Sequence, residues 1–133
     1  MKIVSYFITI NANMLLAITI LGEGVPSVDM LPQNKRAYFK FNLLEALNIT
    51  FTVTPKSTGD PDMYISTVHE RPDEDHCEWR SIRYGADTIT ITTDDPNYKV
   101  STYYVGIKAY TDTTFTMLVT TGNFNMLNML ITL

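Results

Sequence analysis

The stretch Gly59-Asp-Pro-Asp-Met-Tyr-Ile-Ser66 decides the fold, because a tight acidic turn leads directly into an alternating strand. Gly59 can adopt a positive φ at no steric cost, and Pro61 fixes its own φ near the value that a turn requires. The two aspartates can accept hydrogen bonds from nearby backbone N–H groups. Residues 63–66 then alternate between two faces, which predicts that a strand begins at this turn.

The rest of the chain repeats this period of two. The clearest case is residues 48–54, where Ile49, Phe51 and Val53 alternate with threonines. Similar runs occupy 37–43, 87–92, 103–109 and 114–120, and Gly-, Pro- and Asp-rich turn signals separate them. Many short strands with such spacing predict an all-β, antiparallel β-sandwich.

Composition indicates one globular domain. The chain has 133 residues, of which 45% are hydrophobic and 18% charged, and its net charge is −4. That length allows one sizeable core. The basic residues are scattered, and Lys35–Arg36 is their only adjacent pair. Nucleic acid is therefore excluded as a predicted partner, because its phosphates require clustered Lys and Arg.

The N-terminal region carries an apolar stretch that reaches Leu21 and resembles a signal peptide at first sight. Asn11 and Asn13 interrupt the stretch, so we predict neither a signal peptide nor a transmembrane segment, which requires about 20 apolar residues.

An internal similarity links the two ends of the chain. Residues 5–12 resemble residues 102–109, and residues 14–22 follow the pattern of 114–122. The first strand pair therefore looks like a second copy of the last pair. We predict three parts: residues 1–30 form a strand pair and linker that belongs to or completes a neighbouring module, residues 31–122 form the sandwich, and residues 123–133 form an apolar C-terminal strand or connector. The residues expected in exchanged assembly strands are Ile8, Ile10, Leu16, Ile18, Ile20, Met126, Met129 and Leu130.

The order of four motifs resembles the pre-peptidase C-terminal (PPC) domain family. The motifs are the turn at 59–66, Cys77-Glu-Trp-Arg-Ser81, Gly85-Ala-Asp-Thr-Ile-Thr-Ile91 and Tyr103-Tyr-Val-Gly-Ile107. The similarity covers Tyr38 to Gly122. It implies a β-sandwich of jelly-roll type in an extracellular, multi-domain protein. Members of this family are accessory modules without catalysis, linked to adhesion, to substrate or partner binding and sometimes to calcium.

The acidic turns are candidate calcium sites, because calcium takes oxygen ligands from flexible loops. The candidate ligands are Asp60, Asp62, Asp94 and Asp95. The alternative is that these residues hold their turns or are solvated. Calcium is the one possible cofactor.

No catalytic or zinc site is predicted. His69 and His76 are the only imidazoles, and no serine lies in a Gly-x-Ser-x-Gly elbow. Together with Cys77 the histidines lack the paired spacing of a structural zinc site. We expect a non-enzyme, with Cys77 buried in the core.

Aromatic residues and one sequon remain. Trp79 and tyrosines such as Tyr64 and Tyr84 could form a sugar-stacking face, although core packing is the default for Trp79. Asn48-Ile-Thr50 is an N-glycosylation sequon.

The leading prediction is a non-catalytic extracellular module that joins copies of itself, or adjacent repeats of one polypeptide, by β-strand completion in a tandem array or filament. The alternative is a carbohydrate- or calcium-binding accessory module of a secreted enzyme or adhesin.

Overall fold

A computed structural model describes residues 17–122, which fold into nine β-strands without a helix. No helix in this part of the chain is long and apolar enough to cross a membrane. The strands are β1 (Ile18–Ile20), β2 (Ser27–Leu31), β3 (Arg36–Asn42), β4 (Ile49–Pro55), β5 (Pro61–Ser66), β6 (Trp79–Ser81), β7 (Asp87–Ile91), β8 (Thr102–Ala109) and β9 (Thr113–Thr121).

The strands form two sheets that pack against each other. The five-stranded sheet has the order β1-β3-β8-β5-β6, and the four-stranded sheet has the order β2-β9-β4-β7. All pairings are antiparallel except that of β1 with β3. The predicted antiparallel β-sandwich is confirmed.

The core lies between the sheets and follows the alternation read from the sequence. Ile49, Phe51 and Val53 point inward from β4 and are fully buried, as predicted for this run. Phe39 of one sheet meets Phe115 of the other edge to face, with ring centroids 6.2 Å apart. Contacts of this kind lock the two sheets together, because aromatic pairs add to the free energy of area burial.

Residues 18–31 supply strands to this sandwich. β1 pairs with β3, and β2 pairs with β9. Leu21 is buried in the core, and its N–H donates to the Lys40 carbonyl at 2.8 Å. The boundary predicted after residue 30 therefore falls inside β2. Of the assembly residues, Ile18 and Ile20 lie in β1, whereas Ile8, Ile10, Leu16, Met126, Met129 and Leu130 lie outside the described residues.

Candidate functional site

The acidic turn joins three separate parts of the chain. Gly59 has φ +140°, and its Cα faces Thr113 so closely that a Cβ would lie 2.2 Å from the Thr113 Oγ1. The Asp60 carboxylate accepts the Gly85 N–H at 3.1 Å, and the Asp60 carbonyl accepts the Tyr110 N–H at 2.8 Å. Asp60 thus holds the turn against two other loops.

Asp62, unlike Asp60, lies on the outer side of the five-stranded sheet. In the strand register it stands opposite Lys108 of β8. Burial raises the pKa of Asp62 to about 6, and the nearby carboxylates of Asp60 and Asp87 add to this effect. Asp87 is buried, and burial raises its pKa as well, although its carboxylate accepts the Ser81 hydroxyl at 2.7 Å. These three carboxylates therefore repel one another at neutral pH.

We expect Asp62→Asn to stabilise the fold at neutral pH. The folded pKa lies above the value of 3.8 for a free side chain, so the ionised form costs stability as pH rises through about 4 to 6. Because Asp62 is only half-buried, we expect a gain of about 1 kcal/mol in the free energy of unfolding at about pH 7.5 and none at about pH 4. Urea unfolding at both pH values measures this. The exposed Asp94→Asn is the control, and an equal gain at both pH values would contradict an origin in the ionisation of Asp62.

A loop crosses the outer side of the five-stranded sheet, and we call residues 67–78 the strap. It begins where the Ser66 hydroxyl accepts the N–H groups of Val68 and His69, at 3.0 and 2.8 Å. Its Pro72 carbonyl sits directly over Gly106, where a Cβ would lie 2.3 Å from the oxygen. The strap buries Tyr64, which the alternation alone places on an open face.

Glu74 fastens the strap to the sheet. Its carboxylate accepts from Lys108 Nζ at 2.8 Å and from Arg36 Nη2 at 2.5 Å. The Lys108 hydrogen bond is the main reason that the pKa of Glu74 falls to about 2, and Arg36 adds to it. Arg36 also stands over the Tyr64 ring, 5.8 Å from its centroid. The positively charged side chains of Arg36 and Lys108 therefore both bind a carboxylate of the same chain.

The histidines and Cys77 lie in the strap without forming a metal site. The rings of His69 and His76 meet edge to face at 5.0 Å, and His76 Nδ1 lies 2.9 Å from the Asp73 carboxylate, whose pKa this hydrogen bond lowers. Cys77 is half-buried rather than in the core, and burial raises its pKa. Within residues 17–122 no group of three or more His, Cys, Asp or Glu side chains could hold a metal ion.

The second acidic turn supports Trp79. The Trp79 indole N–H donates to the Asp95 carboxylate at 2.9 Å, and the other Asp95 oxygen accepts the Asn97 N–H at 2.8 Å. Asp94 is exposed beside it. Trp79 is half-buried and packs against the core. Asp95 thus positions an aromatic side chain that packs against the core, while Asp60 holds the turn at residues 59–62.

The tyrosines divide between core and surface. Tyr103 is fully buried, and its hydroxyl donates to the Lys99 carbonyl at 2.8 Å, whereas Tyr84 and Tyr110 are exposed. Two surface depressions have volumes of about 290 and 360 Å³. Neither of these two depressions has a tyrosine or tryptophan in its lining, so the exposed Tyr84 and Tyr110 lie outside both.

Asn48 lies just before β4, and its side-chain oxygen accepts the Thr93 N–H at 3.0 Å. The residue is half-buried. Its glycosylation stays a prediction.

The sheet edges carry exposed apolar side chains. Ile20 on β1 is 68% exposed, and Val28 and Met30 on β2 are 57% and 72% exposed. Ile20 was among the residues predicted from the sequence, whereas Val28 and Met30 were not. In β2 the apolar residues Val28 and Met30 alternate with the polar residues Ser27 and Asp29, but the apolar side chains point outward. This alternation is the sequence pattern that could have identified β2.

Comparison with known proteins identifies the fold of this chain. No family model matches the sequence, and no curated protein matches it. Among solved structures, the chain is similar to the pre-peptidase C-terminal domain of a collagenase from Bacillus anthracis, at 16% identity and a TM-score of 0.58 over 77% of this chain and 94% of that one. It is also similar to PliG from Aeromonas hydrophila, a periplasmic inhibitor of g-type lysozyme, at 8% identity and a TM-score of 0.54 over 79% of this chain and 96% of that one. The chain is thus a β-sandwich with the fold of a PPC domain, as the four motifs predicted.

Proposed function

We propose that this protein is a non-catalytic interaction module outside the cytoplasm, which associates with copies of itself by β-strand completion at β1. One observation carries the proposal. β1 is an edge strand of three residues that pairs, among the described residues, only with β3. It also exposes Ile20, so both free backbone groups and an apolar side chain are available to an added strand.

The other edges are less open. On β2, the Asp29 carboxylate already accepts the Met30 N–H at 2.8 Å, and a charged residue on an edge strand disfavours the addition of another strand. β6 and β7 lie side by side at the opposite side of the sandwich, where Ser81 donates to Asp87. These contacts leave the β1 side as the best acceptor.

The donor strand comes from the apolar ends of another copy. Residues 3–16 and 124–133 are rich in Ile, Leu and Met. A strand from either end would bond through its backbone and place alternate side chains beside Ile20. Heterologous contacts of this kind extend into open arrays when the rotation does not close. The periplasmic location of PliG supports a place outside the cytoplasm.

Substituting Ile20 tests the proposal. In the full chain, Ile20→Lys places a charge on the β1 edge, and Val68→Lys makes the same change at a strap residue of similar exposure, 61%. We expect wild type and Val68→Lys to sediment as species larger than 15.1 kDa, and Ile20→Lys to weaken assembly by about tenfold or more.

Two truncated chains, one without residues 1–16 and one without residues 123–133, identify the donor. If all full-length chains sediment as monomers, or Ile20→Lys assembles like wild type, the proposal fails.

A further inference from the structure

The outer side of the four-stranded sheet is a continuous uncharged surface, which we call the threonine face. It consists of the outward side chains of β2, β9, β4 and β7. On β4 these are Thr50, Thr52 and Thr54, and on β7 they are Thr88 and Thr90. No outward position on these four strands, all within the described residues, carries a charge.

The threonine hydroxyls on this face bond to one another. Thr50 and Thr90 have their Oγ1 atoms 3.0 Å apart, and those of Thr52 and Thr88 are 3.3 Å apart. In each pair one hydroxyl donates and the other accepts, so the two contacts satisfy one O–H donor per pair within the sheet. The methyl groups remain available for packing.

The other half of the face is more apolar. β9 contributes Leu118 among threonines, and β2 contributes Val28 and Met30, which are largely exposed. β2 inverts the usual pattern, since Ser27 and Asp29 take its inward positions. An edge strand that turns its apolar side chains outward indicates that this side is covered by a partner.

We infer that the threonine face packs against the same face of a second copy of this chain. Because each copy carries a net charge of −4, copies repel one another least where both surfaces are uncharged. Two sheets pack face to face with strand directions within about 30° of each other, at a spacing of about 10 Å. The contact is two-fold and isologous, and it is independent of strand completion because β1 belongs to the other sheet.

The size of the face predicts a weak dimer. Four strands spaced about 4.8 Å apart, with rows of outward side chains, cover on the order of 400 Å². A stable interface buries about 800 Å² per partner. We therefore expect a dissociation constant of about 10⁻⁴ M for the face alone.

Introducing a positive or a negative charge at the middle of the threonine face tests the inference. Thr52 lies between Thr88 and Leu118, so a two-fold contact brings the two copies of this position close to the axis. All chains are full-length and carry Ile20→Lys, which weakens strand completion equally in the parent and in every variant. The additional variants are Thr52→Lys and Thr52→Glu, and the control is Thr102→Lys on the outer side of the five-stranded sheet.

Sedimentation up to about 1 mM protein should show dimers of the parent and of the Thr102→Lys chain, whereas each Thr52 variant alone binds itself at least about tenfold more weakly. An equimolar mixture of the Thr52→Lys and Thr52→Glu chains should recover the dimer and lose it again at high salt. Circular dichroism checks folding, and Thr116→Lys replaces Thr52→Lys if the latter does not fold. A monomeric parent, or a Thr52→Lys chain that dimerises like the parent, overturns the inference. Either result leaves the β1 test unaffected.

Discussion

Replacing Gly59 by alanine should destabilise the protein by about 3–5 kcal/mol, because two costs coincide at this position. The backbone has φ +140°, which side chains with a Cβ rarely adopt. The new Cβ would also lie 2.2 Å from the Thr113 Oγ1 and 3.2 Å from the Thr113 Cα, so the start of β9 would have to move. Urea or thermal unfolding of the full chain measures the change.

Gly24→Ala is the matched control. Gly24 also has a positive φ, +69°, but no atom lies within 4 Å of its Cβ position. We expect this variant to lose only about 1 kcal/mol from backbone strain. If Gly59→Ala costs no more than Gly24→Ala, the close contact between the acidic turn and β9 is not a determinant of the fold.

Gly106→Ala should lift the strap and leave the sandwich folded. The added Cβ would lie 2.3 Å from the Pro72 carbonyl oxygen, and Gly106 itself has ordinary backbone geometry. The strap must therefore shift, which weakens the hydrogen bonds of Glu74 with Arg36 and Lys108. We expect a loss of about 2–3 kcal/mol in the free energy of unfolding.

Hydrogen exchange locates the change caused by Gly106→Ala. The amides of Val68 and His69 should exchange faster through local opening of the strap, while those of β4 and β9 should lose no more protection than the change in the global free energy of unfolding. Gly22→Ala is the control, since its Cβ would make only an ordinary contact of 3.4 Å with Val25. Unchanged exchange throughout residues 67–78 would show that Gly106 does not seat the strap.

The strands that the sequence predicted are those with a regular period of two. Residues 48–54 alternate Ile, Phe and Val with threonine, and the structure places β4 there with the expected inward face. β2 was missed because Val28 and Met30 point outward. β1 was assigned to a flanking strand pair, since three residues are too few for a periodic signal to fix their partner.

The candidate site was only partly predictable because its contacts join distant residues. The acidic turn was predicted to be held by its aspartates, and Asp60 does this by accepting the N–H of Gly85. The strap has no sequence pattern of its own, so neither the burial of Tyr64 nor the bonds of Glu74 with Arg36 and Lys108 could be foreseen. These contacts depend on which strands become neighbours in the five-stranded sheet.

The most direct test of strand completion is hydrogen exchange at β1 as a function of protein concentration. In the assembled state the backbone groups of β1 that point away from β3 bond to an added strand. We therefore expect their amides to exchange at least about tenfold more slowly at assembling concentrations than in dilute solution. Ile20→Lys should abolish this protection, while β4 amides stay unchanged. Particles that grow in size without any slowing at Ile18–Ile20 would contradict strand completion at β1.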